Sequence, residues 1–103
     1  MIRVNYCQEG DHHRLAVSGH AGYDDSGRDI VCAGVSSLSL ALFAYLPAVA
    51  VIREAQYSSG ELLIDCTGGI ATMAAFDMAM TGYMNLANNF PQCVDVYIAS
   101  DGG

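Results

Sequence analysis

The stretch Gly19-His20-Ala21-Gly22-Tyr23-Asp24-Asp25-Ser26-Gly27-Arg28-Asp29-Ile30-Val31-Cys32-Ala33 decides how this chain is read. It leaves a strand-like run at a histidine, crosses a polar loop, and enters a long apolar run that carries a cysteine near its start. Asp is among the best helix N-caps, so a helix opening after Asp29 puts Cys32 at its third position. The thiolate is the reactive form of cysteine, and the positive end of a helix favours it. A histidine delivered by the neighbouring strand can take the thiol proton. Cys32 and His20 therefore read as nucleophile and general base.

Periodicity extends the reading to both sides. Ile2-Arg3-Val4-Asn5-Tyr6-Cys7 alternates apolar and polar residues as a half-buried strand does. A turn at Gln8-Glu9-Gly10-Asp11 leads to a second strand, Arg14 to His20, forming a hairpin. His12 and His13 lie beside that turn and read as solvent-facing. Ala21 to Arg28 is the loop, with Gly22 and Gly27 as its hinges or as ordinary turn glycines. Beyond Asp29, Val31, Val35, Leu38, Leu42, Tyr45 and Val49 recur at helical spacing, and Pro47 kinks or ends that helix.

The segment from Ala55 to Thr67 holds two more strands around Ser58-Ser59-Gly60. Gly68-Gly69 breaks the chain before a second helix, Ile70 to Asn89. Its inward stripe reads as Met73, Phe76, Met80, Tyr83, Met84 and Ala87. Phe90-Pro91 ends it, and Val94 to Ala99 closes as a strand. The order β-β-α-β-β-α-β describes an α+β fold: one domain over residues 1–103, a mixed or antiparallel sheet with two helices packed on it.

Composition bounds the function. The chain has 103 residues, 52% of them hydrophobic, enough for a core. Its net charge is −7 and only four residues are Lys or Arg, which argues against a nucleic-acid partner. An acidic surface attracts basic polypeptides instead. Ile30 to Ile52 contains no charge and is long enough to cross a bilayer. Its serines, Pro47 and unhelpful flanks favour a buried core helix, so no membrane partner is expected. The four cysteines, Cys7, Cys32, Cys66 and Cys93, form no CxxC pair, and no export signal precedes the first strand. Free thiols in the cytosol are expected, with Cys7, Cys66 and Cys93 as small buried hydrophobes. No ligand spacing supports a zinc site at His20 and Cys32, and no cofactor is expected.

The run Gly19 to Tyr23, then Gly27 to Ala33 and Val35-Ser36, resembles the signature of the ribosomal-processing cysteine protease family, Prp. The motif covers about the first half of the chain; the rest is similar in length and element order. The resemblance implies a cytoplasmic, homodimeric protease. In that family, the enzyme removes an N-terminal extension from a large-subunit ribosomal protein precursor, an extension that would otherwise reach toward the peptidyl-transferase centre. It implies Cys32 as nucleophile, His20 as base, Asp29 and Ser36 as supporting polar residues, and a mobile substrate loop containing Ala21, Gly22, Tyr23 and Gly27.

Some alternatives stay open at this level. Asp29 either orients His20 or only caps the helix. Ser36, one turn after Cys32, either lines the site or allows close packing. The amides opening the helix are placed to meet an oxyanion. A different class of function is a non-catalytic acidic module docking on a basic ribosomal protein or assembly intermediate.

Overall fold

The structure is a computed structural model describing residues 1–25, 29–58 and 60–100. Strands β1 (Ile2–Glu9) and β2 (His12–Ser18) form the expected hairpin. Helix α1 (Ile30–Tyr45) follows the loop and runs into a 3₁₀ turn, Leu46–Ala48. Strands β3 (Ala50–Ser58) and β4 (Glu61–Gly68) form a second hairpin, followed by helix α2 (Ile70–Asn89) and strand β5 (Val94–Ser100). The sheet order is β3-β4-β2-β1-β5. All pairs are antiparallel except β1 with β5, so the sheet is mixed.

Alternation puts one face of the sheet in the core. Val4 stands opposite Val17, and Tyr6 opposite Leu15, with all four side chains buried. The row continues onto β4, where Leu15 meets Ile64 and Val17 meets Leu62. Each such side chain taken from water contributes roughly 1.5–3 kcal/mol. Both helices cover this face: Val31, Val35 and Leu42 of α1 and Phe76, Met80 and Tyr83 of α2 complete the core. Arg3, Asn5, Glu9, Arg14 and Glu61 are exposed on the sheet.

Several boundaries differ from the sequence reading, each for a physical reason. Strand β2 stops at Ser18 because Gly19 takes φ +95°, outside the strand region, so Gly19 and His20 leave the sheet. A Cβ on Gly19 would also collide with the Met1 carbonyl oxygen. Strand β3 opens at Ala50, not near Ala55. Pro47 has already ended helical hydrogen bonding, and the β-branched Val51-Ile52 pair on β4 instead. Val49 thus falls outside the helix, and Tyr45 at its end is 53% exposed.

On α2 the inward arc is Thr72, Phe76, Ala79, Met80 and Tyr83. Met73 and Met84 turn outward, 40% and 45% exposed. The small residues on the inward arc let the helix sit close. Gly82 faces α1 with Leu38 methyls 2.7 Å from where its Cβ would stand. Ser39 Oγ of α1 lies 2.8 Å from Tyr83 Oη of α2 in a buried contact that fastens the helices, and Thr72 Oγ1 of α2 donates to the Val49 carbonyl, just before β3, at 2.6 Å. Burial pushes the Tyr83 phenol up to about 12, against the opposing Ser39 hydrogen bond.

The adjacent histidines are not solvent-facing as a pair. Alternation on β2 sends them to opposite faces. His13 is 0% exposed, stacked on Phe76 at 4.8 Å, with Nδ1 at 2.6 Å from Tyr6 Oη and Nε2 lacking a partner among the described residues. Burial, then the neighbouring His12, lowers its pKa, while Asp11 and Asp77 work the other way. His12 is half-buried and bonds Asp65 Oδ1.

α1 with its 3₁₀ turn is long and apolar enough to cross a bilayer by length and composition. In this fold α1 lies in the helical layer with Val31, Val35, Ser39 and Leu42 buried.

Candidate active site

Cys32 sits at the third position of α1, as the cap at Asp29 requires. Asp29 Oδ1 accepts hydrogen bonds from the amides of Val31 and Cys32 at 3.0 and 2.9 Å. Its Oδ2 accepts from the Tyr23 amide at 3.0 Å. One carboxylate thus closes the helix end and ties the loop to it. Burial opposes ionisation of Asp29, but hydrogen bonds from the amides of Cys32, Tyr23 and Asp24, and from the Cys32 side chain, outweigh it and hold the carboxyl below its usual range. Among the described residues, none of the Asp29 hydrogen bonds comes from His20.

The loop returns to the helix at the sulfur. The Ala21 amide donates to Cys32 Sγ at 3.4 Å. Ala21 is 6% exposed and belongs to the core, so this crossing is anchored by packing as well. His20 is exposed and lies between Gly19, which is held against the Met1 backbone, and Ala21, which is held against the sulfur. The fold therefore brings the backbone of His20 within one residue of a group touching Cys32, although 11 positions separate Ala21 from Cys32 in sequence.

Cys32 is half-buried and all four cysteines are free. Cys66 is fully buried at 0% exposure, and burial, then Asp65, pushes its thiol up to about 11. Cys93 is also buried, in the turn before β5. Cys7 is only half-buried, because alternation along β1 turns it to the face opposite the inward Tyr6. Among these thiols, Cys32 alone combines partial exposure with a helix first turn and an amide aimed at sulfur.

The oxyanion role expected of the opening α1 amides meets competition at Val31, Cys32 and Ala33, each of which already has an acceptor. Val31 and Cys32 donate to Asp29 Oδ1, and Ala33 donates to the Asp29 carbonyl at 3.0 Å. Ser36 follows Cys32 by one turn and is half-buried. Gly22 has φ +66° in an exposed position with open space around it, a conformation glycine reaches without penalty. Tyr23 is 48% exposed, its ring edge-on to Phe90 at 5.3 Å. Phe90 read in sequence only as a helix stop. Its place beside the loop follows from where α2 ends in space, which no local pattern encodes. Gly27 and the rest of the loop to Arg28 lie outside the described residues. Among the described residues, no three metal-ligating side chains converge.

A half-buried cysteine in a capped first turn, with a histidine-bearing loop folded onto its sulfur, suits thiol chemistry on a carbonyl. The sequence matches the family model of cysteine protease Prp over residues 1–95.

The chain belongs to the Prp family of cysteine proteases.

It is 34% identical over 89 residues to the ribosomal processing cysteine protease Prp of Mycoplasma pneumoniae, spanning 81% of this chain and 84% of that protein. Its fold is that of the S. aureus ribosomal processing protease Prp crystallised with a covalently linked product peptide: TM-score 0.83, 17% identity, 95% of this chain and 99% of that one. A Streptococcus mutans protein of solved structure has TM-score 0.73 and 26% identity, over 98% of this chain and 96% of its own. The Prp match reaches well beyond the motif of the first half, through α2 and into β5.

Proposed function

We propose that this cysteine protease removes the N-terminal extension of a large-subunit ribosomal protein precursor, with Cys32 as nucleophile and His20 as general base. The observation that carries the assignment is the Ala21–Cys32 contact, which draws the histidine loop onto a thiol in a helix first turn. The name of the Mycoplasma pneumoniae relative supplies the substrate class. The net charge of −7 suits a basic ribosomal polypeptide.

The chemistry divides into two steps. His20 takes the Cys32 proton, and the thiolate attacks the scissile carbonyl. Collapse of the tetrahedral intermediate breaks the C–N bond, and the His20 imidazolium gives its proton to the leaving amine. Water, deprotonated by His20, then hydrolyses the thioester and returns the thiol. Asp29 supports the pair by holding both loop and helix; Ser36 borders it one turn along. Ala21, Gly22, Tyr23 and Gly27 belong to the loop that meets substrate.

The reading includes a cytoplasmic homodimer. Four free cysteines suit a reducing compartment. The face assigned to the second copy is the apolar groove of about 520 Å3 between the helices, lined by Leu38, Ala41, Tyr45, Ala71, Ala75 and Met78. None of these carries charge, so two chains of net charge −7 can meet there with little repulsion. Met78, 77% exposed, is the residue to test: Met78→Glu should shift sedimentation from dimer to monomer.

The experiment for the activity is mass spectrometry of a ribosomal-protein precursor incubated with wild type, Cys32→Ala or His20→Ala. Wild type should yield one N-terminal cut and Cys32→Ala none. His20→Ala should be slower by about 100- to 10,000-fold. Precursor that stays intact with wild type would overturn this substrate, and if it still bound, an acidic docking role would replace cleavage of it.

A further inference from the structure

We infer that the hydrogen-bond donor stabilising the Cys32 thiolate is the backbone amide of Ala21, and not the N-terminus of α1. This rests on Cys32 being the nucleophile.

A cysteine at a helix start is ordinarily activated by the helix, through unengaged amides and the positive end of the dipole. Here Asp29 has taken that role away. The Val31 and Cys32 amides donate to its Oδ1 at 3.0 and 2.9 Å, and the Ala33 amide to its carbonyl. A full negative charge stands at the end of a helix that offers about half a positive one. These groups favour S–H over the thiolate, so the stabilising donor must come from elsewhere.

The Ala21 amide is placed to be that donor. It points at Sγ from 3.4 Å, and Ala21 is buried. A thiol sulfur is a weak acceptor, and an ionised acceptor is a strong one. The bond therefore strengthens as the proton leaves Sγ for the His20 imidazole, and that difference favours the thiolate. The amide direction is set by the backbone on both sides. Gly19 is held at φ +95° against Met1, and the Tyr23 amide is held by Asp29 Oδ2 at 3.0 Å. The charged group at the helix end beside the thiol is thus Asp29, and His20 follows from the loop one residue before the Ala21 amide, the neutral donor.

The test replaces the peptide bond before Ala21 by an ester in the full chain, made by chemical synthesis. This deletes one N–H and no side chain. The readout is the pH dependence of iodoacetamide alkylation at Cys32, followed by mass spectrometry, together with precursor cleavage. The midpoint should rise by about one to two pH units, with kcat near pH 7 falling roughly 10- to 100-fold and KM little changed. An ester before Tyr23, which frees the loop from Asp29, should move the midpoint less. An unmoved midpoint, or equal movement in both esters, overturns the proposal while leaving Cys32 as the nucleophile. If Cys32 in the unmodified chain reacts no faster than Cys7, Cys66 and Cys93, the nucleophile assignment itself falls. A second measurement needs no ester: the Ala21 amide proton should shift downfield in NMR spectra with the alkylation midpoint, and an amide proton that ignores the titration overturns the proposal.

Discussion

At the scale of single residues, Asp29 shows two functions carried by two oxygens. Oδ1 caps α1 and Oδ2 holds the Tyr23 amide, so the functions can be separated. Asn caps a helix about as well as Asp but keeps only one side-chain acceptor. Asp29→Asn should therefore stay within about 0.5 kcal/mol of wild type in denaturant unfolding, yet lose much of its cleavage rate as the loop is released. Asp29→Ala should lose both, with about 1 kcal/mol of stability gone. Equal rates for Asp29→Asn and wild type would show that the loop contact does not matter to turnover. Gly19 makes a parallel case. A side chain there meets backbone, not a flexible neighbour, and φ +95° is strained for any L residue. Gly19→Ala should cost about 1–3 kcal/mol, seen as a lower unfolding midpoint, and should displace His20.

At the scale of elements, the crossing of α1 and α2 depends on a buried polar pair. Ser39 and Tyr83 are each 0% exposed and satisfy one another at 2.8 Å. Removing one hydroxyl strands the other without water, which costs about 1–3 kcal/mol. Ser39→Ala and Tyr83→Phe should each show that loss in urea unfolding. The double variant should be less destabilised than the two single losses combined, because no polar group is left unpaired. Additive losses would mean the hydroxyls act independently. The start of α1, with Cys32, and the end of α2, with Phe90, lie at the same end of this pair, so the crossing also sets where the loop residue Tyr23 comes to rest.

At the scale of the whole molecule, a buried histidine couples the fold to pH. His13 joins β2 to β1 through Tyr6 and to α2 through Phe76. Burial lowers its pKa in the folded chain below the ordinary value of 6.5. Between those two values the unfolded chain binds the extra proton, so stability falls as pH drops below about 6.5 and levels off below the folded value. The slope from this one group reaches at most about 1.4 kcal/mol per pH unit. Thermal melts from pH 7.5 to 5 should decline in wild type, and His13→Gln, though less stable, should decline less. Parallel declines would assign the pH dependence to other groups.

What the sequence determined by itself is the local part of this architecture. Asp29 as cap, Cys32 at the third helical position, the stop before Pro47, both hairpins and the extent of α2 all follow from interactions between residues a few positions apart. Capping, proline geometry and the two side-chain periods act at that range and are legible in a string of letters. Tertiary structure decided what depends on neighbours remote in sequence. It set β2 between β1 and β4 and laid β5 parallel to β1. It turned Met73 and Met84 outward, because the stripe a helix buries is chosen by what it packs against. It buried His13 and left His12 half-buried on the other face, because the helices cover only one face of the sheet. It also apportioned the amides around Cys32, giving those of α1 to Asp29 and that of Ala21 to the sulfur. Hydrogen-bond partners are assigned by position in space, and a motif names only the residues that compete for them.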